Sequence, residues 1–190
     1  MSYNLRFQAA CTRLCRFLVL IAVAAAIIPV AAAADTPPPG DIPDSQAFVV
    51  FHDKGFSIKV PEGWARVTHA GSTAFIDKYN GIAIAVSRRA KAPTVSNVTR
   101  GELARLKAST LGFAQPRLSA VSRPAGSGVL VTYRASSVKS SVTGKRISND
   151  VERYELWHAG KVAVLTLQAP HGSDNIDAWR LVTTSFRWAS

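Results

Sequence analysis

The chain has 190 residues, with 23 lysines and arginines against 12 aspartates and glutamates, a formal net charge of +11. Its two cysteines, Cys11 and Cys15, both lie near the N-terminus, which leaves the rest of the chain without a disulfide framework, a thiol nucleophile or a cysteine-ligated zinc. The length allows one ordinary domain with a single core.

Residues 1–34 read as a targeting segment. Arg6, Arg13 and Arg16 form a positive flank with no carboxylate. An uncharged run, FLVLIAVAAAIIPVAAAA, extends from Phe17 to Ala34 and ends in alanines that fit an A-x-A cleavage pattern. That is the layout of a secretory signal peptide. The alternative is an uncleaved anchor, since a helical span takes about 20 residues. Setting aside the three flank arginines leaves 20 basic and 12 acidic residues, a net +8. An exported basic protein meets anionic lipid, acidic wall polymers or acidic partner proteins sooner than nucleic acid.

Residues 35–46, DTPPPGDIPDSQ, read as a flexible tether, and residues 47–190 as one domain. "AFVVF" from Ala47 is a short strand. "FSIKV" alternates, with Phe56, Ile58 and Val60 on one face, and Pro61-Glu62-Gly63-Trp64 ends it as a turn. "TAFIDKY" and "GIAIAVS" form a hairpin around Asn80-Gly81, a pair suited to a type I′ turn. Thr99-Arg100-Gly101-Glu102 has the form of a capping box. It starts a helix over Val98–Leu111 carried by Leu103, Leu106 and Thr110, with Gly112 as its stop. Val129, Val131 and Tyr133 alternate as a strand. Val151–Trp157 and Lys161–Ala169 form a second hairpin around His158-Ala159-Gly160. "VAVLTL" is apolar on both faces, as a central strand is. Between the strands, Ser136–Asn149 is a polar, basic, flexible connection. Last, Asp174 or Asn175 caps a helix with Ile176, Trp179, Val182 or Thr183, and Phe186 as its apolar stripe. About seven mostly antiparallel strands with helices after groups of strands make an α+β fold.

Candidate sites are few. His171, Ser173 and Asp174 are too close in sequence to form a triad with one another, and no G-x-S-x-G elbow exists. They read as a loop and a helix cap. His52, His69, His158 and His171 show no H-x-x-x-H spacing, so no metal and no cofactor are expected. A hydrolase would need His52, His69 or His171 in a cleft beside a serine or carboxylate from a distant segment. Asp174 with Asp177, and Glu152 with Glu155, are local pairs on single elements and read as solvated surface. Trp64, Trp157, Trp179 and Trp188 read as core, with a carbohydrate surface as the other use of an exposed tryptophan. The basic connection carries Lys139, Lys145 and Arg146, the expected contact for an acidic partner. It lacks the aromatics of a nucleic-acid platform. Asn97-Val98-Thr99 has the form of a glycosylation sequon.

"GFSIKVPEGW" (Gly55–Trp64) resembles the opening hairpin of PsbP-like domains. "YELWHAGKVAVLTLQAPHGSDNIDAWRLVTTSFRW" resembles their end, and actinobacterial cell-envelope lipoproteins of the LpqN type are similar in the same way. The resemblance covers most of Ala47–Trp188. It implies an α/β/α sandwich on an antiparallel sheet of six to seven strands, and a non-enzymatic accessory or binding role. No catalytic residue set carries over. Such lipoproteins have a cysteine after the apolar run, where this chain has Ala34 and Asp35. The expectation is an exported, non-catalytic envelope domain that binds an envelope protein or, alternatively, an anionic lipid or wall polymer, near the membrane.

Overall fold

The structure is a computed structural model, and it describes residues 40–69, 71–139 and 143–189. The expected leader, 1–34, lies outside the described residues. Ten strands lie among the described residues: β1 (Phe48–Asp53), β2 (Phe56–Pro61), β3 (Ala65–His69), β4 (Ser72–Asp77), β5 (Asn80–Arg88), β6 (Ala114–Arg123), β7 (Gly126–Ser136), β8 (Ser148–His158), β9 (Lys161–Pro170) and β10 (Arg187–Trp188). The helices are α1 (Val95–Asn97), continued by a π turn over Val98–Glu102 into α2 (Leu103–Ser109), and later α3 (Ile176–Ser185).

Seven strands form one antiparallel sheet in the order β3-β4-β5-β9-β8-β7-β6, and β1-β2-β10 form a second, smaller one. The fold is α+β, as the order of strands and helices implies. "VAVLTL" lies in β9, the middle strand of the seven, where Val162, Ala163, Leu165 and Leu167 are buried. Residues paired across β7, β8 and β9 sort the side chains onto two faces. On one face Val129, Val131, Tyr133 and Val151 pack with Val98 of the helical segment. On the other, Tyr154, Leu156, Leu165 and Ile84 pack with Phe56, Ile58, Val182 and Phe186, which come from the small sheet and α3. Helices thus cover both faces of the antiparallel sheet, as expected of the sandwich, and the small sheet joins α3 on the second face.

Two of the expected local features lie elsewhere, and two fall in place. The β4–β5 turn is Lys78-Tyr79, with Asp77 paired to Asn80, so Asn80 and Gly81 open the strand after the turn. Lys78 takes the left-handed backbone (φ +51°) that Asn-Gly was expected to supply. The Ala159-Gly160 turn falls where expected, with φ +45° and +78°. The helical segment is capped by Thr94, whose hydroxyl accepts from Asn97 N–H at 3.2 Å, and not by Thr99. Thr99 Oγ1 instead donates to Val95 O at 2.8 Å, which places it one turn inside the helix. Gly112, at φ +63°, does follow the end of α2.

Residues 40–46, expected as part of a tether, lie against the domain. Asn175 Oδ1 accepts from Ile42 N–H at 2.6 Å, and its amide donates to Gly40 O at 2.9 Å. Asp41 accepts from Asp174 N–H at 2.9 Å. A Cβ on Gly40 would stand 2.5 Å from Pro170 Cδ and Ser173 Oγ, so only glycine passes there. Asn175 thus spends its side chain on this strap. It caps α3 through its carbonyl, which accepts from Trp179 N–H, and not through its side chain. Ile176, expected on the buried stripe, is 66% exposed, while Val182 and Phe186 are fully buried.

Candidate functional site

The start of β6, the end of β7 and the start of β8 lie beside the β9–α3 loop, and between them and the first turn of α3 lies a cleft of about 340 Å³. Because side chains two apart on a strand share a face, Thr132 and Arg134 of β7 lie beside Glu152 and Asp150 of β8. Gln115 and Arg117 enter from β6, and Tyr133, Val151, Ala169 and Pro170 also line the cleft. His171, Ser173, Asn175, Ile176 and Trp179 complete the wall from the β9–α3 loop and α3.

His171 is the best-held polar group there. Its Nδ1 is 2.8 Å from Asp150 Oδ2, and its Nε2 is 2.8 Å from Arg134 Nη2. A guanidinium only donates, so Nε2 must accept and Nδ1–H must donate to Asp150. The ring is neutral in this arrangement. Gly172 N–H also donates to Asp150 Oδ2, and Arg134 Nε lies 3.4 Å from Oδ1. Burial opposes ionisation of Asp150. The hydrogen bonds from His171 and Gly172 and the charge of Arg134 outweigh it, so the carboxyl is held below its ordinary range. Glu152 accepts from Tyr154 O–H at 2.7 Å. The phenol is pushed up to about 12 by burial and by Glu152, with Arg123 opposing.

A second charged cluster lies on the opposite face, under the helical segment. Glu155 is fully buried; its Oε2 accepts from Arg89 Nη1 at 2.7 Å, and its Oε1 is 3.7 Å from Arg153 Nε. Arg153 also pairs with Glu102. This is the glutamate that the sequence assigned to a capping box, and the Thr94 cap frees it for the sheet. Burial, with Glu102 close by, pushes Glu155 up to about 7 against the pull of Arg153 and Arg89. For Glu102 burial again opposes ionisation, but its hydrogen bonds and the two arginines hold it low.

Of the residues weighed from sequence, His171 and Ser173 reach one cleft, and Asp150 joins them from a strand 21 residues away. That juxtaposition of histidine and distant carboxylate is the arrangement a hydrolase would need. The ring, however, has both nitrogens engaged, by Arg134 and Asp150, and neither is hydrogen-bonded to Ser173. His52 and His69 are exposed on β1 and β3, and exposed His158 stacks near Trp188 at 6.3 Å. Asp174 and Asp177 line a separate groove with Asp44. Glu152 and Glu155, a local pair in sequence, face opposite sides of the sheet. Trp179 lines the cleft, while Trp157 and Trp188 are tied by their indole N–H groups to Arg89 O and Ala125 O. Lys139, Lys145 and Arg146 are exposed in the β7–β8 connection. Arg146 Nη1 donates to Ser137 O at 2.8 Å, closing the neck of that connection. Among the described residues, no group of three histidines, cysteines or carboxylates is placed to hold a metal ion, and no helix is long and apolar enough to cross a membrane.

No protein-family model matches the chain, and no curated protein matches it. Solved structures do. The PsbP protein (CyanoP) of Synechocystis sp. PCC 6803 matches with a TM-score of 0.47 at 14% identity, covering 79% of this chain and 98% of that one. LpqN, involved in cell envelope biogenesis of Mycobacterium tuberculosis, matches with a TM-score of 0.44 at 18% identity over 77% of this chain and 93% of its own. A protein from Bacteroides thetaiotaomicron VPI-5482 matches with a TM-score of 0.43 at 14% identity over 71% of this chain. This chain spans 45% of that protein's length. Both kinds of protein that the sequence resembles are thus among the structures similar to it, and at these identities the likeness concerns the fold alone.

Proposed function

We propose that the chain is an exported binding domain of the cell envelope that holds a neutral, polyhydroxylated ligand, of saccharide type, in the cleft under α3 without cleaving it. The observation that carries this reading is the balance of the cleft. Arg117 and Arg134 face Asp150 and Glu152, with Gln115 and Thr132 between them and Trp179 on the wall. Two carboxylates disfavour an anion and two guanidinia a cation. Alternating donors and acceptors suit hydroxyl groups, and an indole supplies an apolar platform. The volume lies within the range of small-ligand sites, about 300–1,000 Å³. Binding without turnover fits a histidine whose ring nitrogens are both taken and an Asp150 held too acidic to donate a proton. The envelope location rests on the positive flank and apolar run of residues 1–34.

Isothermal titration with a panel of neutral oligosaccharides tests the reading, with product analysis on the same samples. Binding that falls more than about tenfold in both Trp179→Ala and Glu152→Gln, with the sugar recovered intact, is the expected result. Shortened sugars in the wild-type sample, absent with His171→Ala, would instead make the cleft a hydrolase site.

A further inference from the structure

Positive charge is unevenly distributed along this chain. From Leu103 to Asn149 the sequence has eight lysines and arginines and no aspartate or glutamate. That stretch comprises α2, β6, β7 and the β7–β8 connection, so the excess falls at one edge of the seven-stranded sheet. Some of these cations turn inward. Arg123 reaches Tyr154 and Thr183, and Arg134 reaches Asp150 and His171. Lys107, Lys139, Lys145 and Arg146 are exposed. They come from the last turn of α2 and from the β7–β8 connection, which meet where Ser136 N–H donates to Leu111 O at 2.7 Å. Two large apolar side chains stand exposed at the same corner: Leu111 at 50% and Val138 at 83%, the latter next to Lys139.

We infer that this corner docks on an anionic lipid surface, with Lys139 and Lys145 at the head groups and Val138 and Leu111 entering the interface. Cations alone would suit any polyanion. An exposed valine and leucine set among lysines suit a surface that is charged outside and apolar within, which a bilayer interface provides. Charge complementarity is strong because no carboxylate interrupts the stretch. Asp150, the first to follow it, is already engaged by Arg134 and His171. The corner is distinct from the cleft wall at Trp179, and the inference stands or falls independently of the cleft's ligand.

The test is co-sedimentation of the full chain with large unilamellar vesicles of phosphatidylcholine, with and without phosphatidylglycerol. Two variants are compared with the parent: Lys139→Glu/Lys145→Glu, and Val138→Ser. Arg146 is kept because it closes the neck of the connection. Residues 1–34 are common to all three, so differences report the corner itself. The parent should bind phosphatidylglycerol vesicles in preference to pure phosphatidylcholine, and less as salt rises. A lysine near an anionic surface contributes about fivefold, so the double variant should bind more than about tenfold more weakly. Val138→Ser should weaken binding at unchanged charge. Equal binding by parent and variants, or no binding by the parent, overturns the inference. Loss in the charge variant with none in Val138→Ser also overturns the lipid assignment and favours an acidic protein surface. Circular dichroism and thermal midpoints confirm that the variants fold.

Discussion

Glu155 is fully buried between Arg89 and Arg153, yet its carboxyl is pushed up to about 7. Its ordinary value is 4.5, so the unfolded chain releases this proton first. Stability contributed by this group is full below pH 4.5 and is lost as the pH rises towards about 7. Glu155→Gln should flatten that part of the stability curve, whose slope for one proton reaches about 1.4 kcal/mol per pH unit. Urea unfolding at several pH values checks it. Glu155→Ala should instead cost about 3 kcal/mol or more, because two arginines lose their shared partner. Glu102 and Asp150 act in the opposite sense: both are held low, so their contribution is lost only as the pH falls below their ordinary values, 4.5 and 3.8. At the cleft, His171→Ala removes a hydrogen bond from Asp150, and the aspartate should titrate higher than in the parent, as followed by carboxyl NMR.

At the scale of elements, α3 is fixed twice. Phe186, just after it, is fully buried, stacked on Phe56 at 5.3 Å and set edge-on to Trp188 at 5.2 Å. Phe186→Ala should lower stability by about 3–5 kcal/mol, the cost of emptying an aromatic core position. At its start, Asn175 ties Ile42 and Gly40 to the helix. Asn175→Ala should cost about 2 kcal/mol and raise amide exchange at Ile42 before the strands of the sheet open. Much of this layer was legible from sequence. "FSIKV", "VAVLTL", the Ala159-Gly160 turn and the last helix fall where the alternation and spacing put them. What escaped has a local cause. β6 contains Pro116, Gln115 in a left-handed conformation and mostly exposed residues, so it lacks the apolar alternation that marks a buried strand. Every residue of β3 is exposed. The capping-box pattern at Thr99 was real as a pattern, but Glu102 gains more from Arg153 on the sheet than from the end of a helix that starts a turn earlier.

At the scale of the molecule, two faces of one sheet carry different chemistry. The face under the helical segment buries a closed set of charges, and the face under α3 opens into a cleft. The cleft was not legible in the sequence, because its parts come from Gln115 to Trp179 and meet only through strand register. His171 was visible as a residue, while its partners Arg134 and Asp150 were not, since nothing local links them. The basic segment was visible in the sequence, and the exposure of Lys139, Lys145 and Arg146 follows from their position between two paired strand ends. The central claim is that the cleft binds a neutral sugar without cleaving it, and mapping by NMR tests it most directly. A nitrogen-15-labelled chain would be titrated with neutral oligosaccharides released from cell envelopes, following the Trp179 indole N–H and the backbone amides of Arg117, Arg134 and Gly172. The account predicts saturable shifts gathered at those groups, with the oligosaccharides unchanged by mass spectrometry. Shifts gathered elsewhere, or none with any sugar at millimolar concentration, would contradict it.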